Sequence, residues 1–155
     1  MALLVDTGPL ELLRRRHPRV ETLALQHFPP VLPLPVVGEF LYGQVLAGVA
    51  PEALMRAQEF LASFEVIAAD RHTALTYARL RAQAKQAGQR MPDADYWIAA
   101  LAIQHRLRLV TMDAHFELFP EFKPWLIRIA EDGSQYAENA EKLKTESRNP
   151  TLGRR

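Results

Sequence analysis

Apolar residues fall along this chain in two patterns. Residues 2–5, 31–34 and 107–111 form short, nearly continuous apolar runs that stop at a proline or a polar residue. Runs of that length without alternation suit strands covered on both faces, as in a parallel sheet. Residues 63–68 and 125–129 add two weaker runs. Between the runs, apolar positions recur at helical spacing. Leu10, Leu12 and Leu13 open one helix, residues 20–28 make another, and Val36, Val37, Phe40, Leu41 and Val45 give a third its core face. Further helices are predicted over 51–62, over 71–87 with Ala74, Leu75, Ala78 and Leu80 inward, and over 92–106 with Ile98, Ala99, Leu101 and Ala102 inward. The alternation predicts an α/β fold, a three-layer α/β/α sandwich around a central parallel sheet of four to five strands.

Proline and glycine punctuate the pattern. Pro18 breaks the first helix, Pro29 and Pro30 close the second, Pro35 and Pro51 suit first helical turns, and Gly48 and Gly88 follow helix ends. Pro33 argues for an edge strand or a strand end, because it has no N–H for a ladder. From Glu131 onward apolar residues thin out and charge, Gly, Ser and Asn rise. Residues 1–130 therefore read as one domain and 131–155 as a polar, mobile tail with room for a short amphipathic helix over 136–144.

Composition narrows the chemistry. The chain has 155 residues, 48% hydrophobic and 24% charged, with no cysteine. That is enough for one packed core. It excludes disulfides, thiolate nucleophiles and Cys-type zinc sites, and it fits a reducing, cytoplasmic setting. No apolar run approaches the ~20 residues of a membrane span, and the N-terminus lacks the pattern of a signal peptide. A net charge of +1 does not announce a nucleic-acid binder. Arg far outnumbers Lys, and Arg14, Arg15, Arg16 and Arg19 cluster around His17. They read as a solvated helix end favoured by the helix dipole, with phosphate contact as the alternative.

Four acids share one placement. Asp6 ends the first strand, Glu39 follows the second, Asp95 opens a helix, and Asp113 follows the fourth strand. In open α/β sheets that edge is where ligands bind. At about 100° per residue, Asp95 lies in line with Ile98, Ala99 and Ala102, so a carboxylate stands at the open end of an apolar stripe. Asp93 points elsewhere and suits a cap or a supporting role. Four gathered carboxylates raise one another's pKa unless cations are present. Oxygen donors without Cys or His select hard ions, Mg²⁺ or Mn²⁺, which clamp phosphodiesters and activate water. Thr7 and Thr111 are placed to orient the acids or to cap helices. His115 reads as a surface histidine.

Four stretches carry a resemblance: Val5-Asp6-Thr7, then Val36 through Gly43 with Glu39 inside, then Asp95-Tyr96-Trp97-Ile98-Ala99-Ala100, then Leu109 through Asp113 ending in Phe116. In this order and spacing the chain, over residues 1 to about 130, resembles the PIN domain, and within it the VapC-type toxin ribonucleases of bacterial toxin–antitoxin pairs. The resemblance implies Mg²⁺- or Mn²⁺-dependent cleavage of RNA, with Asp6, Glu39 and Asp95 as core acids and metal ligands and Asp113 as the fourth. It also implies a homodimer and a cognate VapB-like antitoxin that blocks the site. The family often has a second Asp where His115 stands, so the outer acid shell here is thinner. Three other readings remain. One is a catalytically inert PIN-like module that binds RNA or a partner. Another is a PIN nuclease with a housekeeping role in RNA processing. The third, a phosphatase with Asp6 as nucleophile, is disfavoured by Gly8 where such enzymes want a second Asp.

Overall fold

A computed structural model describes residues 2–136 of the chain. In chain order the elements are β1 (Leu3–Val5), α1 (Thr7–Arg14), α2 (Pro18–Gln26), β2 (Pro30–Pro33), α3 (Leu34–Leu46), α4 (Pro51–Ala62), β3 (Glu65–Ile67), α5 (Arg71–Gln86), α6 (Asp93–His105) and β4 (Arg108–Thr111). Two 3₁₀ turns, Ala114–Leu118 and Pro120–Trp125, lead into β5 (Leu126–Arg128).

The five strands form one fully parallel sheet in the order β3-β2-β1-β4-β5. The chain steps from β1 through β2 to β3 in one direction, then returns across the sheet to β4 and β5. With right-handed crossovers, α1–α4 cover one face and α5 and α6 the other, the three-layer sandwich expected. The direction reverses at β1, so the carboxyl ends of β1 and β4 diverge into a crevice, the position where open α/β sheets bind ligands.

The core accounts for the apolar runs. Leu3, Leu4, Val5, Val31, Leu32, Leu109 and Val110 are all buried. Helix α6 contributes Ile98, Ala99, Ala100, Leu101 and Ala102, buried without interruption. A stretch buried on every side needs small residues to admit its neighbours, and three of these five are alanines.

Several local expectations change. Pro33 ends a strand as expected, but β2 is an inner strand, and the exposed edge is β3 with Glu65 and Val66 open to solvent. In α3, Val36 and Phe40 are buried and Val37 and Leu41 half-buried, whereas Val45 is 63% exposed. In α5 the inward face is Thr73, Tyr77, Leu80 and Ala84, spaced four, three and four apart, while Ala74, Leu75 and Ala78 face out. A capping box fixes that phase: the Asp70 carboxylate accepts the Thr73 N–H at 2.9 Å and the Thr73 hydroxyl accepts the Asp70 N–H at 2.9 Å. Gln104 of α6 donates to both Asp70 oxygens, locking the two helices together.

Ordered packing also continues past Glu131. Gly133 is buried with φ +73°, and a Cβ there would lie 2.9 Å from the His17 ring. Arg19 pairs with Asp132 at 3.2 Å, and Gln135 bridges Ile129 in antiparallel fashion. These contacts tie residues 132–135 to α2 and to the end of β5. Residues 137–155, with nearly all of the helix expected over 136–144, lie outside the described residues. No helix among the described residues is long and apolar enough to cross a membrane.

Candidate active site

Asp6 is the residue after β1. Parallel pairing of Leu3, Leu4 and Val5 with Arg108, Leu109 and Val110 carries Asp6 level with Thr111 at the end of β4. Its extended backbone makes it the N-cap of α1, with Oδ1 accepting the Thr7 N–H at 2.8 Å. The other oxygen, Oδ2, accepts the Thr111 hydroxyl at 2.6 Å. Thr111 is fully buried, and its Oγ1 also accepts the Asp113 N–H at 3.0 Å. One hydroxyl thus fixes both the first and the last acid.

Glu39 is exposed on α3 and reaches back to α1, where the Thr7 hydroxyl donates to its Oε2 at 2.5 Å. Asp95 is buried in the first turn of α6. Its Oδ2 lies 3.3 Å from His115 Nδ1, and the same nitrogen lies 3.0 Å from Asp113 Oδ1. A cleft of about 530 Å³ takes in Asp6, Thr7, Glu39, Asp95 and Asp113. Gly8 lines it too, and a Cβ there would lie 2.7 Å from the Met112 sulfur.

Crowding shows in the acid strengths. Burial pushes the Asp95 carboxyl up to about 6, reinforced by the negative charge of Asp6 and opposed by the His115 hydrogen bond. Burial likewise raises Asp6 from the ordinary carboxylate range, against the hydrogen bonds from Thr111 and Thr7, and the charges of Glu39 and Asp113 add to the rise. These acids sit in a place that favours added positive charge. The donor set fits a hard divalent cation: four carboxylates on one cleft, with Asp95, Asp113 and His115 offering ligand atoms all within 4.8 Å of one another.

Asp6, Glu39, Asp95 and Asp113 are therefore brought together, with Thr7 and Thr111 hydrogen-bonded among them. Asp93 is not. It lies on the other side of α6, paired with Arg81 at 2.9 Å and hydrogen-bonded by the Tyr77 hydroxyl, as its phase two residues before Asp95 requires. His115 is at the surface as expected, and its ring also lies against Asp95 and Asp113. The signal that would have found it is the short 3₁₀ turn after Asp113. Asp113 caps that turn by accepting the His115 N–H at 2.9 Å, which swings the imidazole back over the acids.

The sequence model of the PIN domain matches residues 3–121. The chain belongs to the PIN domain family. PIN domains are generally nucleases. Among solved structures this PIN domain is similar to FitAcB from Neisseria gonorrhoeae, at 28% identity and a TM-score of 0.60 over 72% of this chain and 87% of that one. It is also similar in fold to VapBC2 from Rickettsia felis bound to a DNA fragment from their promoter, at 23% identity and a TM-score of 0.66, covering 77% of this chain and 94% of that one. VapBC-1 from nontypeable Haemophilus influenzae matches at 21% identity and a TM-score of 0.65, over 80% of this chain and 94% of that one. No protein of curated function matches at a significant level.

Proposed function

We propose that this PIN domain is a divalent-metal-dependent endoribonuclease and the toxin of a toxin–antitoxin pair. The observation that carries the reading is the gathering of Asp6, Glu39, Asp95 and Asp113 from four separate stretches of chain into one cleft, two of them held against ionisation by burial and by one another's charge. An unused cluster of that kind is a burden on the fold. It becomes favourable when it holds a cation.

Asp6 and Asp95 are assigned as principal metal ligands, with Asp113 and Glu39 completing the acid ring. When bound, Mg²⁺ or Mn²⁺ supplies charge neutralisation for the phosphodiester and acidity for an attacking water. The remaining work belongs to the chain. Thr111 aims Oδ2 of Asp6 and holds the Asp113 backbone. Thr7 tethers Glu39, which leaves the other Glu39 oxygen free to accept a proton or a ligand.

The toxin assignment is supported by the structural likeness to proteins solved as VapBC assemblies. From it follow a VapB-like antitoxin that covers the cleft, a homodimer and a cytoplasmic site of action. The test is cleavage of varied RNAs by the folded chain on addition of Mg²⁺ or Mn²⁺, paired with growth arrest on expression and its relief by the product of the neighbouring reading frame. Cleavage without growth arrest favours a housekeeping nuclease. Metal-free or metal-bound protein that binds RNA and never cuts it favours the inert binding module.

A further inference from the structure

We propose that His115 supplies a nitrogen ligand to the divalent ion, making the centre a mixed carboxylate–imidazole site instead of the all-oxygen site its acids alone suggest. This rests on the metal-site reading above and adds to it the identity of one ligand.

The geometry is specific. His115 Nδ1 stands 3.0 Å from Asp113 Oδ1 and 3.3 Å from Asp95 Oδ2, and the three donor atoms fall within 4.8 Å of one another. Two ligands at about 2.1 Å from one small ion lie roughly 3–4 Å apart. Nδ1 thus already stands at neighbour spacing from both carboxylate oxygens. No other trio of His, Asp and Glu side chains among the described residues comes together in this way. The imidazole is also delivered by a firm support. The His115 backbone N–H donates to Asp113 Oδ1 at 2.9 Å, and the next residue, Phe116, is a fully buried core side chain. The backbone of the turn Ala114–Leu118 is thereby fixed beside the acids.

The chemistry follows from the donor. Mg²⁺ favours oxygen ligands and keeps its waters, whereas imidazole nitrogen suits transition ions. A nitrogen at this position shifts the preference of the cleft from Mg²⁺ toward ions such as Mn²⁺ and Co²⁺.

Pulsed electron paramagnetic resonance on the full chain loaded with one equivalent of Mn²⁺ tests this without any reading of activity. The expected result is echo modulation from a directly bound histidine nitrogen, replaced by the ¹⁵N pattern when histidine is ¹⁵N-labelled, and lost in His115→Gln. The same variant binds Mn²⁺ about tenfold or more weakly, with a smaller change for Mg²⁺. Bound Mn²⁺ with no nitrogen modulation, or modulation that survives His115→Gln, overturns the assignment and leaves the acid site standing. Failure of the unaltered protein to bind Mn²⁺, or binding unaffected by Asp95→Asn, overturns both.

Discussion

The Thr111 hydroxyl donates a 2.6 Å hydrogen bond to Oδ2 of Asp6 across 105 residues of sequence, and Thr111 Oγ1 accepts the N–H of Asp113. The β1–β4 register makes this possible, so a feature of sheet pairing becomes a feature of the site. Thr111→Val keeps the shape and removes the hydroxyl. It leaves a backbone N–H and a carboxylate oxygen short of a partner, which costs on the order of 1–3 kcal/mol. Metal affinity is expected to fall about tenfold or more. Thr111→Ser restores both. Urea unfolding and calorimetric metal titration of the pair check this, and Thr111→Val matching the unaltered protein in both would show that the hydroxyl does not organise the site.

The raised acids give the metal-free protein a pH signature. Asp95 titrates at about 6 against an ordinary value of 3.8, and Asp6 is displaced in the same direction. A carboxyl that holds its proton more tightly when folded stabilises the fold at low pH and loses that effect as pH rises from about 4 through 6. Unfolding in EDTA should show the protein more stable at pH 5 than at pH 7, with Asp95 contributing on the order of 2–3 kcal/mol over its whole titration. Asp95→Asn removes most of that difference and stabilises the metal-free protein at pH 7. Asp70 acts in a separate window. Its carboxyl is held at about 2, chiefly by the Thr73 N–H, so its effect is present above pH 4 and lost as pH falls toward 2.

Much of this architecture was legible in the sequence because burial on both faces leaves an uninterrupted apolar run. Residues Leu3–Val5 and Arg108–Thr111 could be placed as strands, and Asp6 and Asp113 as the residues that follow them. Asp95 was legible through helical phase. What stayed hidden depends on tertiary partners. The inward face of α5 includes a threonine and a tyrosine because Asp70, Gln104 and Trp97 meet them, and no hydropathy pattern marks that. Tyr77 stacks on Trp97 with ring centroids 4.1 Å apart. His115 stayed hidden because a 3₁₀ turn, not a helix or strand, aims it.

Metal should bind where those acids are and act on stability by mass action. At a free concentration of about 100 times Kd, Mg²⁺ or Mn²⁺ is expected to add roughly 2.7 kcal/mol. Thermal unfolding at pH 7 reads the shift. Asp6→Asn and Asp95→Asn should abolish it, and an equal shift in both variants would place the ion elsewhere.

Two glycines separate backbone strain from function. Gly133 has φ +73° and the His17 ring 2.9 Å from where a Cβ would be, so Gly133→Ala should destabilise by on the order of 1–2 kcal/mol. Gly43 lies inside α3 with nothing within 4 Å of that position, so Gly43→Ala should stabilise by about 0.5–1 kcal/mol. Denaturant midpoints decide both. Retained stability in Gly133→Ala would mean that the turn after β5 is not docked on α2.

One cleavage assay asks whether the acid cleft cuts RNA with the help of a divalent ion. End-labelled single-stranded RNA is incubated with the folded chain, Asp6→Asn and Asp95→Asn, each in EDTA, in Mg²⁺ and in Mn²⁺. The expected result is cleavage by the unaltered chain with metal only, reduced by about 10²-fold or more in each variant. Cleavage that persists in EDTA or in both variants, or intact RNA of varied sequence beside protein that has bound its metal, would rule out metal-dependent RNA cleavage at these acids.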